Sequence, residues 1–296
     1  MTSDASKPPI GYQRGTLPLL GVLIECLDEH SEPIPEAVAS GFIRREFGRL
    51  FLYTCWHVVT DFDPYDLAIS PKKVPSRRRY LRLAFQGARR PIAGLEIIGG
   101  LQTLKIGLYK NSERPFQAAW LQDDAHIPNA DLNSLGLHVP FWHDLVKIEL
   151  PAEIEVSDLQ IVDEKRIFPG NTSLIAPGDK CLIVGFPYGF SAFGRDQPTP
   201  IALTRFVASD RIAGRRRQLL LDSIAAPGMS GGPVFVERDN ELLLFGIYTG
   251  LIYPDFYRQK RDGVTALGSV ADITFALYGH LPLVTCPSQA VDVPRP

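Results

Sequence analysis

The sequence predicts an all-β protein built from two packed β-barrels of about six strands each. Short runs rich in Val, Ile, Leu, Phe and Tyr recur along the chain, and Gly, Pro, Asn or Asp bound them. A Pro169-Gly170 break divides these runs into two groups, and no repeat period of the solenoid or propeller kind is present. With 296 residues, of which 45% are hydrophobic, the chain is long enough to bury two modest cores.

The strand candidates fall on both sides of this break. Before it they are residues 19–27, 41–45, 50–55, 80–85, 95–109, 116–121 and 145–150. After it they are residues 180–185, 201–209, 218–224, 233–237 and 242–253. One stretch, residues 270–278, has apolar residues at a spacing of three to four and predicts a C-terminal helix.

These signals predict the organisation of the chain. Four segments follow in order: a flexible N-terminus at 1–14, an N-terminal barrel at 15–165, a C-terminal barrel with the helix at 166–282, and a tail at 283–296. The stretch 61–115 is longer than a small barrel needs, so we expect an inserted hairpin there.

The strongest chemical signal is residues 226–233, Ala-Pro-Gly-Met-Ser-Gly-Gly-Pro, which precede an apolar strand. A serine enclosed by glycines can occupy a tight turn that no side chain obstructs. In such a turn the amides of Gly228 and Ser230 can face one point beside the hydroxyl and form an oxyanion hole. Ser230 is therefore the candidate nucleophile, and the alternative is an ordinary glycine-rich β-turn.

A serine hydroxyl is a poor nucleophile until a base takes its proton. His57 lies near the end of the apolar stretch of residues 50–59, which we predict to be a strand running into a polar turn at Asp61, and it is the candidate base. Asp144 begins an alternating strand and is the candidate acid that fixes the tautomer of the histidine. Asp131, near the same loop, is the second candidate for the acid. Taken alone, His57 and Asp144 could each simply cap a strand, but Ser230 downstream favours the catalytic interpretation.

The order His57, Asp144, Ser230, with 87 and 86 residues between successive members, resembles the chymotrypsin-like (trypsin-fold) serine proteases. Three segments carry this resemblance: Thr-Cys-Trp-His-Val-Val at 54–59, Asp-Leu-Val at 144–146, and Gly-Met-Ser-Gly-Gly-Pro at 228–233. Pro-Gly before the serine motif and Gly-Phe-Pro-Tyr-Gly at 185–189 are most similar to bacterial HtrA-type protease domains. The resemblance covers about residues 17–280.

The resemblance implies a trypsin-like pair of six-stranded barrels and a serine endopeptidase that works through an acyl-enzyme, with no metal and no organic cofactor. It also implies which residues form the walls of the first specificity pocket: Ile224, Ala225, Ala226, Tyr248, Thr249 and Gly250. Because Ile224 stands where trypsin has an acid, we expect a small or aliphatic residue before the scissile bond rather than Arg or Lys.

The sequence departs from the family pattern in three places. Cys55-Trp56 replaces the usual small pair before the histidine, and Met229 stands where the digestive enzymes have Asp. Met229 argues against activation by zymogen cleavage. No PDZ-like module follows the second predicted barrel, which argues against HtrA-style allosteric activation and trimer assembly. We therefore expect narrow specificity or activation by a regulatory protein partner.

The alternative function is a catalytically silent pseudoprotease that binds a partner through its cleft or its basic loops. The basic clusters are Lys72-Lys73 with Arg77-Arg78-Arg79, and Arg215-Arg216-Arg217. Their simplest interpretation is solvated loops, and the alternative is a docking surface for an acidic partner or nucleic acid. A net charge of -2 does not favour nucleic acid, so the expected partner is a protein or peptide substrate.

We expect a cytoplasmic protein. Four scattered cysteines with no C-x-x-C pair favour free thiols in a reducing compartment. The apolar run 17–27 is interrupted by Glu25, which argues against a signal peptide. No stretch approaches the roughly 20 apolar residues that cross a bilayer.

Overall fold

The structure of the protein is a computed structural model. It describes residues 20–62, 78–86, 90–92, 95–97, 101–141, 143–162, 167, 175–190, 199–213, 216–222, 226–238, 241–252, 267–272 and 283–285. Strands dominate these residues and the helices are short, so the all-β prediction is confirmed. No helix in these ranges combines the length and apolarity that a membrane crossing needs.

The described part of the N-terminal half contains two short helices among many strands. The strands are β1 Val22–Leu27, β2 Pro33–Glu46, β3 Arg49–Thr54, β4 Tyr80–Gln86, β5 Arg90–Ile92, β6 Leu95–Ile97, β7 Leu101–Gly107, β8 Leu121–Asp123, β9 His126–Ile127, β10 Val139–Pro140, β11 Val146–Glu149 and β12 Ile161–Val162. The helices are α1 Trp56–Thr60 and α2 Ala130–Ser134.

The described part of the C-terminal half continues with longer strands. They are β13 Lys180–Gly185, β14 Ile201–Ala213, β15 Arg216–Leu221, β16 Pro233–Arg238, β17 Glu241–Ile252, β18 Leu267–Asp272 and β19 Leu283–Thr285. Two 3₁₀ turns, Asp158–Gln160 and Pro187–Gly189, complete the elements that the site description needs.

The sheet topology separates the two halves. Strands β13, β14, β15, β18, β17 and β16 pair in that order and close a six-stranded barrel. A nine-stranded sheet has the order β19-β8-β11-β3-β2-β1-β4-β7, and β12 adds to β2 in parallel. The described pairings therefore show one closed barrel, and they do not close the N-terminal sheet into a second. Strands β5 and β6 form a separate hairpin within 61–115, as predicted.

Strand β13 contributes to two cores because successive side chains point to opposite faces of a strand. In β13, Cys181 and Ile183 belong to the core inside the barrel, whereas Leu182 and Val184 join the core of the N-terminal half. The two halves therefore pack directly against each other. Burial on both faces also explains why the sequence shows continuous apolar runs rather than clean alternation.

Two terminal predictions differ from the structure. Val270–Asp272, predicted to begin the C-terminal helix, lie in β18, which pairs with both β15 and β17. Backbone hydrogen bonds to two neighbouring strands stabilise this segment as a strand, although the spacing of its apolar residues is typical of a helix. Leu283–Thr285, predicted as tail, form β19 and extend the edge of β8. Residues 273–278 and the predicted flexible segment 1–14 lie outside the described ranges.

A buried ionic cluster joins β2, β3 and β11. Glu46 accepts from Lys147 Nζ at 2.8 Å and from the Tyr53 hydroxyl, and it pairs with Arg44 Nη1 at 3.3 Å. Arg44 and Glu46 are only 4% and 6% exposed. Burial, and then the Glu46 carboxylate, raise the pKa of Tyr53 well above its ordinary value, so the phenol remains a donor. The Glu46 carboxylate therefore balances the positive charges of Arg44 and Lys147 in a site that is shielded from solvent.

Replacing Glu46 by Gln should lower the free energy of unfolding by about 3 kcal/mol, because Arg44 and Lys147 would lose their compensating carboxylate in a buried site. Urea denaturation measures this loss. The matched control is Glu149→Gln, which breaks the exposed pair with Arg49 and should cost less than about 1 kcal/mol. Equal losses in the two variants would contradict the role given to Glu46.

Candidate active site

His57 lies on a short helix that follows strand β3. The strand ends at Thr54, Cys55 is extended with φ -77° and ψ 149°, and α1 begins at Trp56. The prediction that His57 lies near the end of a strand is therefore wrong. Helix α1 stops at Asp61, whose left-handed backbone (φ 68°) lets its N–H donate to the His57 carbonyl at 2.9 Å.

Asp144 contacts His57 at two points. Strand β11 pairs with β3 in a register that sets Val146 opposite Thr54, and this brings Asp144 beside α1. Asp144 Oδ2 lies 2.6 Å from His57 Nδ1, and Oδ1 accepts the His57 backbone N–H at 3.0 Å. Asp144 is fully buried, and the His57 side chain is 25% exposed. Asp131 is exposed on α2, so Asp144 is the acid that reaches His57.

Arg78 holds the carboxyl end of α1. Its Nη1 donates to the carbonyl oxygens of His57 at 2.9 Å and Val58 at 2.6 Å, and its Nη2 pairs with Asp61. The guanidinium thereby adds a donor to the His57 carbonyl, which also accepts the Asp61 N–H, and supplies a donor to the Val58 carbonyl at the end of the helix. The helix that presents His57 is thus fixed at its last turn as well as by Asp144.

Two arginines of the first basic cluster have roles inside the fold. Arg78 caps α1, and Arg79 lies over the Phe116 ring at 4.4 Å from its centroid. Neither observation supports the docking surface considered above for these two residues. The other side chains of the two basic clusters lie outside the part of the chain whose side chains are described.

The turn that carries Ser230 depends on glycine. Gly228 has φ 89°, and a Cβ there would lie 2.4 Å from the Phe186 carbonyl oxygen. Gly231 has φ 87°, and a Cβ there would lie 2.1 Å from the Ser40 carbonyl oxygen. Only glycine tolerates such backbone angles and contacts. The half-buried Ser230 is therefore held on a turn that touches both halves of the molecule.

Hydrogen bonds orient two peptide groups of this turn from their carbonyl sides. Pro227 O accepts the Tyr188 N–H at 2.6 Å, and Met229 O accepts the Gly232 N–H at 2.9 Å. Both carbonyls are thus directed toward fixed donors. Tyr188 belongs to the 3₁₀ turn that follows β13, so that turn directly supports residues 226–232, which carry the candidate nucleophile Ser230 and are called the nucleophile turn.

The amides of the same two peptide groups belong to Gly228 and Ser230. In a trans peptide the N–H points opposite to the C=O, so both N–H groups point away from the donors that hold the carbonyls. Within the described residues neither N–H has a hydrogen-bond acceptor. The turn therefore contains two oriented N–H groups, those of Gly228 and Ser230, that have no acceptor among the described residues.

Ser40, fully buried on β2, links this turn to both halves. Its N–H donates to Ser230 O at 2.8 Å, and its hydroxyl donates to Gly228 O at 2.7 Å. The same hydroxyl accepts the Phe186 N–H at 2.9 Å, and the Ser40 carbonyl accepts from Thr54 Oγ1 at 2.9 Å. One residue thus holds the nucleophile turn, the end of β13 and the end of β3 together.

Ser230 and His57 reach the same junction without a hydrogen bond between them. A Cβ on Gly231 would lie 2.3 Å from Thr54 Oγ1, and Thr54 ends the strand that leads to His57. Among the described residues the Ser230 hydroxyl has no hydrogen-bond partner. The His57–Asp144 contact is therefore formed, while the serine lies nearby with its hydroxyl still available.

Cys55 lies between the His57–Asp144 pair and the barrel. Its Sγ donates to the Tyr248 carbonyl at 3.4 Å, and the ligand atoms of Cys55, His57 and Asp144 lie within 4.8 Å of one another. These three are the one group of metal-ligand side chains found in the described chain. Burial, and then the Asp144 charge, raise the pKa of the Cys55 thiol well above its ordinary value. A protonated thiol and a hydrogen-bonded imidazole fit a hydrogen-bonded cluster better than a metal site.

All three described cysteines are free and buried, which agrees with the prediction of free thiols. They are Cys26, Cys55 and Cys181; Cys286 lies outside the described ranges.

Among the predicted pocket residues, Gly250 lies close to the candidate nucleophile. A Cβ built on it would be 3.8 Å from Ser230 Oγ. Strand β16 begins at Pro233 opposite Ile247, whereas β17 continues beyond that pair to Ile252. The end of β17 therefore extends beyond the start of β16 and passes close to Ser230. Ala226, half-buried, begins the nucleophile turn itself.

Tyr248 and Thr249 differ from the prediction of an open pocket wall. Tyr248 is 1% exposed with its ring in the barrel core, and Thr249 is 7% exposed. The Tyr248 N–H donates to Gly232 O at 2.9 Å and the Tyr248 carbonyl accepts the Gly231 N–H at 2.8 Å, so the backbone of Tyr248 is already paired as well. Neither side chain therefore forms an open pocket wall. Ile224 and Ala225 lie outside the described ranges.

Sequence reasoning missed Ser40, Arg78 and the backbone of Tyr188. The one local signal for Ser40 is the small-residue triplet 39–41 in β2, which indicates close approach of another backbone. A comparison of the sequence with models of protein families and with curated proteins found no match.

Replacing Ser40 by Ala should lower the free energy of unfolding by about 2 kcal/mol, because the buried Gly228 carbonyl and Phe186 N–H both lose their partner. Thermal unfolding followed by circular dichroism measures the effect. The matched control is Ser134→Ala, an exposed serine on α2, for which we expect a change within about 0.5 kcal/mol. A loss as small as that of the control would contradict the linking role of Ser40.

Proposed function

We propose that this protein is a serine endopeptidase with the triad His57, Asp144 and Ser230. The two-point contact between the buried Asp144 carboxylate and His57, formed next to the Ser230 turn, is the observation that carries the proposal. A carboxylate in this position keeps the proton on Nδ1 and leaves Nε2 as the basic nitrogen. If Asp144 only capped a strand, its carboxylate would not need to contact the imidazole of His57 as well as the backbone.

The proposed reaction proceeds through an acyl-enzyme. His57 Nε2 takes the hydroxyl proton as Ser230 Oγ attacks the peptide carbonyl carbon, and Asp144 stabilises the imidazolium. His57 then gives that proton to the leaving amine nitrogen, and the C–N bond breaks. A water molecule attacks the resulting ester in the same way, and Ser230 regains its proton. No metal or organic cofactor enters this sequence.

The amides of Gly228 and Ser230 supply the proposed oxyanion hole. Their directions are set by the hydrogen bonds on Pro227 O and Met229 O, so no reorganisation is needed when negative charge develops. Donors that are oriented in advance stabilise the transition state more than the substrate. The loss of one such donor typically costs about 100- to 1000-fold in rate.

The serine and the histidine still need to approach each other. Catalytic hydrogen bonds are often long in unliganded enzymes and shorten in the substrate complex. Rotation of the Ser230 side chain is a small movement, whereas the His57–Asp144 contact and the nucleophile turn are already held by several hydrogen bonds. Substrate binding therefore needs to complete only one contact of the proposed triad.

The overhanging end of β17 is the proposed binding strand for the substrate backbone. An extended peptide can add to an exposed strand edge through main-chain hydrogen bonds. Gly250 brings this edge within reach of Ser230, so the residues before the scissile bond would lie along 249–252, beyond Tyr248, whose N–H and carbonyl already bond to Gly232 and Gly231. Glycine leaves space there for a peptide to approach closely.

The proposal includes the resemblance to chymotrypsin-like proteases, with HtrA-type motifs. In this interpretation the closed barrel is the second of the two trypsin-like barrels, and the N-terminal sheet takes the place of the first. A cytoplasmic location and control by a protein partner belong to the same proposal, since buried free thiols suit a reducing compartment.

A fluorophosphonate probe tests the proposal, because its phosphorus reacts with an activated serine oxygen and releases fluoride. We expect wild-type protein to be labelled, with labelling lost in Ser230→Ala and His57→Ala and slowed by orders of magnitude in Asp144→Asn. Gel fluorescence after timed quenching measures the rate, and circular dichroism checks that each variant folds.

Three matched controls change the same residue types outside the site: Ser134→Ala, His30→Ala and Asp131→Asn. Each should be labelled at the wild-type rate, and Asp131→Asn also excludes the second candidate acid. Absence of labelling in folded wild-type protein would contradict the proposal and favour the pseudoprotease alternative. Cleavage of a peptide library within its sequences would then establish endopeptidase activity and the preferred residue before the bond.

A further inference from the structure

Two large aromatic side chains are exposed in the turn beside the nucleophile. Tyr188 and Phe190 are 76% and 61% exposed, and only Phe47 and Phe206 join them as exposed large hydrophobic residues in the described chain. Exposed apolar groups that cluster near a site commonly bind a ligand or partner. Tyr188 and Phe190 share one short turn, which makes them a pair rather than scattered surface residues.

The backbone of this turn is fixed against the Ser230 turn. Tyr188 N–H donates to Pro227 O at 2.6 Å, and a Cβ on Gly228 would lie 3.0 Å from the Tyr188 nitrogen. Within the turn, Phe190 N–H donates to Pro187 O at 2.7 Å. The two aromatic residues are therefore held at a set position relative to the proposed oxyanion hole.

Tyr188 occupies a backbone conformation that does not suit tyrosine. Its φ is 53° and its ψ is 25°, the left-handed region that glycine or asparagine adopts more easily. Strain of this kind, found at a site, points to a use for the side chain that bears it. The ring of Tyr188 is therefore the feature that needs an explanation, since the backbone turn alone would be easier to form with asparagine.

The position of the turn indicates which half of a substrate it meets. A peptide attacked at its carbonyl by Ser230 extends in two opposite directions from that point. The half before the bond has the end of β17, where Gly250 lies near Ser230 Oγ. The turn of Tyr188 instead contacts Gly228 and, through Gly189, Val38 of β2, where a Cβ on Gly189 would be 3.2 Å from Val38 Cγ1. The leaving half therefore passes the aromatic pair.

We propose that Tyr188 and Phe190 form an apolar subsite for the residue that follows the scissile bond, selecting aromatic or large aliphatic side chains there. This inference rests on the proposed endopeptidase function and adds a determinant on the leaving-group side. The rings are exposed in the free protein, so a bound side chain would remove apolar surface from water on both partners.

Acyl transfer to added amines tests this subsite separately from the residues before the bond. A peptide ester first acylates Ser230, and the acyl-enzyme then partitions between water and an amino-acid amide. The α-amino nitrogen of the amino-acid amide attacks the ester carbonyl carbon, the C–Oγ bond breaks, and His57 carries the proton from that amine to Ser230 Oγ. The product ratio, measured by mass spectrometry, reports binding in the leaving-group subsite independently of the overall rate.

We expect phenylalanine amide and leucine amide to be accepted about tenfold more efficiently than glycine amide or aspartate amide. Tyr188→Asn combined with Phe190→Ser should remove most of this preference; asparagine suits the left-handed backbone, so the turn should be retained. The control is Phe206→Ser, an exposed aromatic on β14, which should keep the wild-type preference.

Fluorophosphonate labelling of the same samples distinguishes failure of the proposed subsite from failure of the proposed endopeptidase function. Labelled wild-type protein that accepts all four amides equally would overturn the subsite and leave the proposed function standing. A preference retained in the double variant would also overturn it. If wild-type protein is not labelled and forms no acyl-enzyme, the proposed function itself fails, and the subsite fails with it.

Discussion

The site depends on one close approach of two backbones at the junction of the two halves. The nucleophile turn comes so near to β2 that a single Cβ on Gly231 would overlap the Ser40 carbonyl and Thr54 Oγ1. That approach lets Ser40 hold the turn through its N–H and its hydroxyl. It also sets the turn beside the strand end that leads to His57. A larger residue at position 231 would push the halves apart and separate the proposed catalytic groups.

Burial of charge is the second physical theme of the junction. Asp144 is fully buried and accepts two N–H groups of His57, which compensates a carboxylate that would otherwise be costly in the interior. The Cys55 thiol beside it stays protonated, because a second negative charge there would be unfavourable. Arg78 secures the opposite end of α1 through the helix carbonyls. The contacts that stabilise this part of the fold are therefore the same ones that orient His57 for the proposed chemistry.

The strand prediction succeeded where several short apolar runs were bounded by turn residues, as in β13 at 180–185 and β16 at 233–238. Prediction failed where a local pattern met a competing tertiary partner. Val270 has helical apolar neighbours, yet it lies between two strands of a closed barrel. Helix α1 is five residues long, which is too short for any period to be recognised in the sequence.

The sequence by itself determined the class of secondary structure, the identity and order of the candidate catalytic residues, and the need for glycine around Ser230, because these follow from residue type and local spacing. Only the tertiary structure decided that Asp144 rather than Asp131 reaches His57, that Tyr188 and Gly232 orient the two peptide groups, and that Ser40 binds a carbonyl 188 residues away. The reason is that hydrogen bonds between distant segments depend on strand register and on the packing of one half against the other. Neither leaves a local pattern in the chain.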